Sequence, residues 1–123
     1  MTVKLKTGTE AGLKRRVIRM LSDEYPDAVV RKRHGSAYST VGDPDITILY
    51  RGVHIECELK RLGEKPTIIQ QKRLDEWRRA GAVTAVVHTV EEMRAVMQRA
   101  VGERPGIAGP GPGPGPTSWS ASG

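Results

Sequence analysis

Two stretches near the middle of the chain, Asp45 to Tyr50 and Val53 to Lys60, alternate apolar and polar residues with period two, and only Arg51 and Gly52 separate them. Such alternation marks strands with one buried face, and a two-residue connection folds them back on each other as a tight hairpin. The loop length sets the pairing: Tyr50 meets Val53, Ile48 meets Ile55 and Ile46 meets Cys57, which makes one wholly apolar face. The other face pairs Leu49 with His54, Thr47 with Glu56, and Asp45 with Glu58, with Lys60 two places further along on the same side. A slip of one residue would bury the charges and expose the isoleucines, so the pattern pins the register.

Helix and strand signals flank this hairpin in a definite order. A first helix opens at Thr7 or Thr9, where Thr7-Gly8-Thr9-Glu10 has capping-box spacing, and runs along the stripe Leu13, Val17, Met20 and Leu21 to Tyr25-Pro26. Glu10 lies on that inward stripe, with a role either as a cap residue or facing the hairpin. A short strand with a basic face follows, Ala28 to His34, and then a Gly/Ser/Thr-rich loop, Gly35 to Gly42. Beyond the hairpin, Thr67-Ile68-Ile69-Gln70 is a second capping box, and Gln70, Leu74, Trp77 and the terminating Gly81 fall on one helical line. Ala82 to His88 is a near-continuous apolar run and reads as a buried central strand. Thr89 to Glu92 is a third capping box, opening a helix with Met93, Val96, Met97, Ala100 and Val101 that closes near Gly102. The order is α-β-β-β-α-β-α, an α/β fold with a mixed central sheet flanked by helices.

The last 20 of the 123 residues, Arg104 to Gly123, are a Gly/Pro/Ser tail with no hydrophobic period, expected to be disordered. The expected single domain is residues 1–103. Arg104 is the only charged residue of that tail, so the surplus of 20 Lys and Arg over 14 Asp and Glu belongs to the body and favours an anionic partner. No run approaches the ~18 apolar residues of a membrane span, so a soluble intracellular protein is expected. A lone cysteine rules out an internal disulfide, and Cys57, on the apolar face, is expected to be an inert core thiol. His34, His54 and His88 sit on separate segments without ligand spacing, which argues against zinc. Trp77 is expected to pack in the core, since a chain with no Phe and three Tyr is poorly supplied for base stacking. Arg31, Lys32, Arg33, Arg51, Arg61, Lys72, Arg73, Arg78 and Arg79 are candidates to neutralise phosphates.

Two carboxylates directly across adjacent strands have side-chain carbons roughly 4.5–5.5 Å apart and repel. The repulsion is relieved by a proton shared between the acids or by a bound cation, and an all-oxygen site suits a hard divalent ion. Asp45, Glu58 and a nearby carbonyl, with Lys60 to hold a water or a phosphate, fit metal-assisted phosphodiester hydrolysis; the alternative is a solvated strand face with weak Lys–acid pairs.

Gly42-Asp43-Pro44-Asp45, then Glu58-Leu59-Lys60 at the end of the next strand, resembles the signature of the PD-(D/E)XK nuclease superfamily, whose restriction-endonuclease-like core has this element order. Thr67-Ile68-Ile69-Gln70 followed eleven residues later by Gly81 and a strand is similar to its virus-type replication-repair nuclease (VRR-NUC) group. The resemblance spans roughly Thr9 to Glu92. It implies that Asp45 and Glu58 ligate Mg2+ or Mn2+, that Leu59 adds its carbonyl, and that Lys60 serves the attacking water. It also implies that Gln70 faces the site and that Glu10 supplies a first-helix acid. Asp43 and Glu56 are extra acids, which leaves the ligand choice open to a two-residue shift. DNA is the implied substrate, cut to leave a 5′-phosphate. Single-domain members of the group act as homodimers on branched DNA such as four-way junctions, and a bacterial or phage-infected cytoplasm suits them. The competing class is a non-catalytic basic nucleic-acid-binding protein that retains the fold.

Overall fold

The computed structural model describes residues 8–33 and 40–102. The expectations for Thr7, His34, the 35–39 part of the loop and the Gly/Pro tail lie outside the described residues. The elements are α1 (Glu10–Glu24), β1 (Val29–Lys32), β2 (Ile46–Tyr50), β3 (Val53–Leu59), α2 (Ile68–Arg79), β4 (Val83–Val87) and α3 (Val90–Gly102). Among the described residues no helix is long and apolar enough to cross a membrane.

The four strands lie in the order β1-β2-β3-β4, with the first two pairings antiparallel and β3–β4 parallel. The hairpin register is the one the alternation dictates: Ile46 pairs with Cys57, Thr47 with Glu56 and Tyr50 with Val53. Arg51 and Gly52 both take positive φ, 51° and 83°, as a type I′ turn demands. The apolar face of the sheet packs on α1 and α3, where Ile46, Ile48, Ile55 and Cys57 meet Leu13, Val17, Met93 and Met97 in one core. Each such side chain contributes about 1.5–3 kcal/mol on burial. Cys57 is fully buried against the Met93 sulfur, and desolvation first, then the neighbouring carboxylates, push its thiol up to about 12. It is the inert thiol expected.

Two readings need correction. The run Ala82–His88 forms β4 at one end of the described sheet rather than at its centre, and Val83 to Val86 are half-buried. Both α2 and α3 pack against β4, so both its faces need apolar residues although its outer edge has no described neighbour. The buried central strand is β3, of whose residues His54 alone is not buried. The first helix is capped by Thr9, whose hydroxyl accepts from Gly12 N–H, so Glu10 is the first helical residue and not the reciprocal acid of a capping box. The box at Thr67 and Gln70 is complete. At α3, Thr89 accepts from Glu92 N–H, while the Glu92 carboxylate reaches one residue further back, to His88 N–H and the His88 ring.

The loop leading into β2 is laid along one ridge of α2. Ile69, Arg73 and Trp77, four residues apart, meet Gly42, Val41 and Asp43: Arg73 Nε donates to Val41 O at 3.0 Å and Trp77 Nε1 donates to Asp43 at 3.2 Å. Gly42 has φ +87°, and a Cβ there would stand 2.9 Å from Ile69 Cγ1 and 3.2 Å from its backbone. Only glycine allows this approach. Gly42→Ala should therefore lose roughly 1–3 kcal/mol of stability, read as a lower urea midpoint, by lifting the loop from α2.

Candidate active site

Asp45 stands just before β2 and Glu58 is the penultimate residue of β3; continued one step, the hairpin register puts them face to face. Asp45 Oδ2 accepts from Leu59 N–H at 2.8 Å, which anchors that carboxylate to the end of the opposite strand. Glu58 is 2% exposed, and its Oε1 is buried with no hydrogen-bond partner. Its Oε2 lies 3.9 Å from Lys60 Nζ, which is also 4.0 Å from Glu10 Oε2 on α1. Four of the five side chains expected at the site thus converge from three elements. Glu10 is exposed rather than inward, and it meets Lys60 because the cap falls to Thr9.

The electrostatics are those of a carboxylate out of place. Burial, then the charge of Asp45, push the Glu58 carboxyl up to about 8; Lys60 opposes this, while a hydrogen bond with Asp45 and the Glu10 charge add to it. Glu58 therefore holds its proton to a higher pH than an ordinary glutamate does. An unpartnered buried carboxylate oxygen is costly, and it is the kind of atom a hard cation satisfies.

The two extra acids belong to a separate assembly. Glu56, 0% exposed, receives hydrogen bonds from Thr47 Oγ1 at 3.0 and 2.9 Å and from Arg33 Nη1 at 2.7 Å, with His54 Nε2 at 2.6 Å. Asp43 accepts from Trp77 and sits 3.9 Å from Arg33 Nε. Trp77 is half-buried against this polar cluster, with the His54 ring at 5.2 Å and the Arg33 guanidinium at 5.3 Å, and not in the apolar core where the sequence put it. The register explains why this was missed. Arg33 faces Asp45 one step past the β1–β2 ladder, a juxtaposition that depends on a long connection and not on local pattern. A buried acid in mid-strand was the available signal, since it demands a cation.

Gln70 stands one residue from the Ile69–Gly42 contact, and its side chain closes the cap, its Oε1 accepting from Thr67 N–H at 2.9 Å. His88 is held between Glu92 and the Glu64 carbonyl. Of the proposed phosphate-binding cations, Arg61, Arg73 and Arg78 pair with Glu64, Glu76 and Asp75 on their own segments. Among the described residues no group of three or more Asp, Glu, His or Cys side chains is arranged to hold a metal ion. Asp45 and Glu58 are two facing carboxylates, and magnesium commonly completes so small a protein donor set with water and substrate oxygens. A cleft of about 360 Å³ between the starts of α1 and α3, lined by Thr9, Arg16, Arg61 and Thr89 among others, includes neither acid nor Lys60.

No family model matches the chain, and no curated protein does. Among the solved structures similar to it are two described as VRR-NUC domains. A chain described as "VRR_NUC domain" shares 25% identity over 74% of this chain and 97% of its own, with a TM-score of 0.58. A "VRR_NUC domain protein" shares 19% identity over 80% of this chain and 92% of its own, with a TM-score of 0.68. The α-β-β-β-α-β-α order, the mixed sheet and both superpositions agree: the chain has the VRR-NUC domain fold of the PD-(D/E)XK nuclease type.

Proposed function

We propose that the protein is a metal-dependent endonuclease that hydrolyses DNA phosphodiester bonds, and that branched DNA such as a four-way junction, engaged by a homodimer, is its substrate. The observation that carries this reading is the buried Glu58 oxygen without a hydrogen-bond partner, placed beside a second acid and an ammonium. In a merely structural site that carboxylate would be neutralised by a fixed cation, as Glu56 is by Arg33. Asp45, Glu58 and the Leu59 carbonyl would hold Mg2+ or Mn2+. The ion would supply positive charge against the developing phosphorane and make water easier to deprotonate. Lys60, held between Glu58 and Glu10, orients the attacking water and stabilises the charge it gains. Glu10 keeps the Lys60 ammonium at the mouth of the site, and Gln70 stiffens the helix start against which the Asp45 loop rests.

The test is nicking of supercoiled plasmid and of a synthetic four-way junction with and without magnesium. Wild-type cleavage should require the ion and fall by at least roughly 10³-fold in Lys60→Ala and Asp45→Asn, with DNA binding retained. Unchanged cleavage in both variants would point to a contaminating nuclease or a misread site, and none in the wild type would favour the binding-protein alternative.

The acid pair also makes a prediction about stability. The unfolded chain releases the Glu58 proton near 4.5 and the folded chain only near 8, so between these values the folded state binds the extra proton. Stability without metal should therefore fall as pH rises through that interval, by on the order of a few kcal/mol, and Glu58→Gln should flatten the slope. Magnesium should raise the melting temperature more at pH 8 than at pH 5, where the proton already occupies the site. Urea and thermal melts of both proteins across that range check the sign.

A further inference from the structure

We infer that Arg33 is a positioning residue that sets the direction of the Asp45 side chain, with Glu56 as its buried anchor. The Arg33 backbone N–H donates to Asp45 O at 2.9 Å, and its Nη1 donates to Pro44 O at 2.8 Å. Those two carbonyls belong to the peptide planes on either side of the Asp45 Cα. Holding both planes fixes φ and ψ there, and with them the direction of the Asp45 Cα–Cβ bond. The same Nη1 donates its second hydrogen to Glu56 Oε1 at 2.7 Å, and Glu56 is 0% exposed in the middle of β3. Arg33 therefore ties the peptide before Asp45 to the most buried strand of the sheet. Trp77 beneath the guanidinium and Asp43 beside it keep the plane of the fork. A lysine has no planar fork with which to hold both partners in this geometry.

The consequence is a division of labour along β3. Glu56 and Glu58 point the same way, two residues apart; the first anchors the loop and the second receives whatever the loop delivers. The value of this clamp to catalysis rests on the nuclease reading, but the clamp itself does not. It has its own reporter, because Leu59 N–H donates to Asp45 Oδ2 and its exchange with solvent reports whether that carboxylate stays in place.

The experiment uses the full chain carrying Arg33→Met with Glu56→Gln, which removes both charges together, leaves neither partner of that pair as an uncompensated charge and keeps an amide to meet Thr47 and His54. Val96→Ala, a buried core truncation on α3, controls for lost stability. In the double variant the Leu59 amide should exchange at least roughly tenfold faster relative to the Ile55 amide of the same strand, and Mn2+ affinity measured by electron paramagnetic resonance should fall by a similar factor. Val96→Ala should move neither ratio. A folded double variant with wild-type Leu59 protection overturns the inference, and so does one whose Leu59 amide is loosened only as much as in Val96→Ala. Wild-type protein that neither binds Mn2+ nor nicks DNA overturns the nuclease reading instead, and the Leu59 exchange then decides the clamp alone.

Discussion

The structure depends on one register. Because β2 and β3 are joined by two residues in left-handed backbone, their pairing cannot drift, and the same alternation that buries Ile46, Ile48 and Ile55 delivers every polar residue of the hairpin to the opposite face. The apolar side is covered by α1 and α3 and supplies the stability. The polar side is only partly covered, by α2 and the loop before β2, and it holds the acids of the candidate site. Moving either strand by one residue would destroy both at once, so the core and the site are specified by a single constraint.

Along β3 that polar side meets two demands with opposite solutions. Glu56 is buried and fully partnered: Arg33, Thr47 and His54 supply donors to both oxygens, and nothing remains for a ligand. Glu58 is buried and under-partnered, with one orphan oxygen, a second acid beside it and an ammonium at 3.9 Å, beyond direct hydrogen bonding. Burying a charge is costly unless it is compensated, so the first arrangement stabilises the fold and the second spends part of that stability. The contrast also separates the four acids of the motif: Asp43 and Glu56 are partnered within the Arg33 cluster, while Asp45 and Glu58 face each other.

Much of this was legible because it is local. Element order, the hairpin pairing, the acid pair, the Thr67 cap and the buried Cys57 all follow from short-range periodicity and turn length. What escaped depends on packing between distant segments. An apolar run says that both faces of a strand are covered, which is true of β4, and says nothing of whether a strand lies on its far side. Trp77 shares a helical line with Leu74, but the line it follows in space is Ile69–Arg73–Trp77, turned towards the incoming loop. Two threonines competed to cap α1, and the choice of Thr9 frees Glu10 to reach Lys60. Arg33 looked like one cation in a basic run, and only the β1–β2 register gives it a role.

Lys60 shows how the pieces are coupled. Its backbone N–H continues the parallel ladder by donating to Val87 O, so its position is set by β4 and hence by the α2 crossover that delivers β4. Its ammonium is set by Glu58 from its own strand and by Glu10 from the first turn of α1, where a carboxylate is favoured by the helix dipole in any case. Backbone and side chain together are thereby placed by three separate elements, and the side chain keeps a residual exposure of 12%. An ammonium that only balanced Glu58 would gain from closing the 3.9 Å gap to a hydrogen bond. Lys60 stands off from both acids, 3.9 Å from Glu58 Oε2 and 4.0 Å from Glu10 Oε2, while the other oxygen of Glu58 is buried without a hydrogen-bond partner.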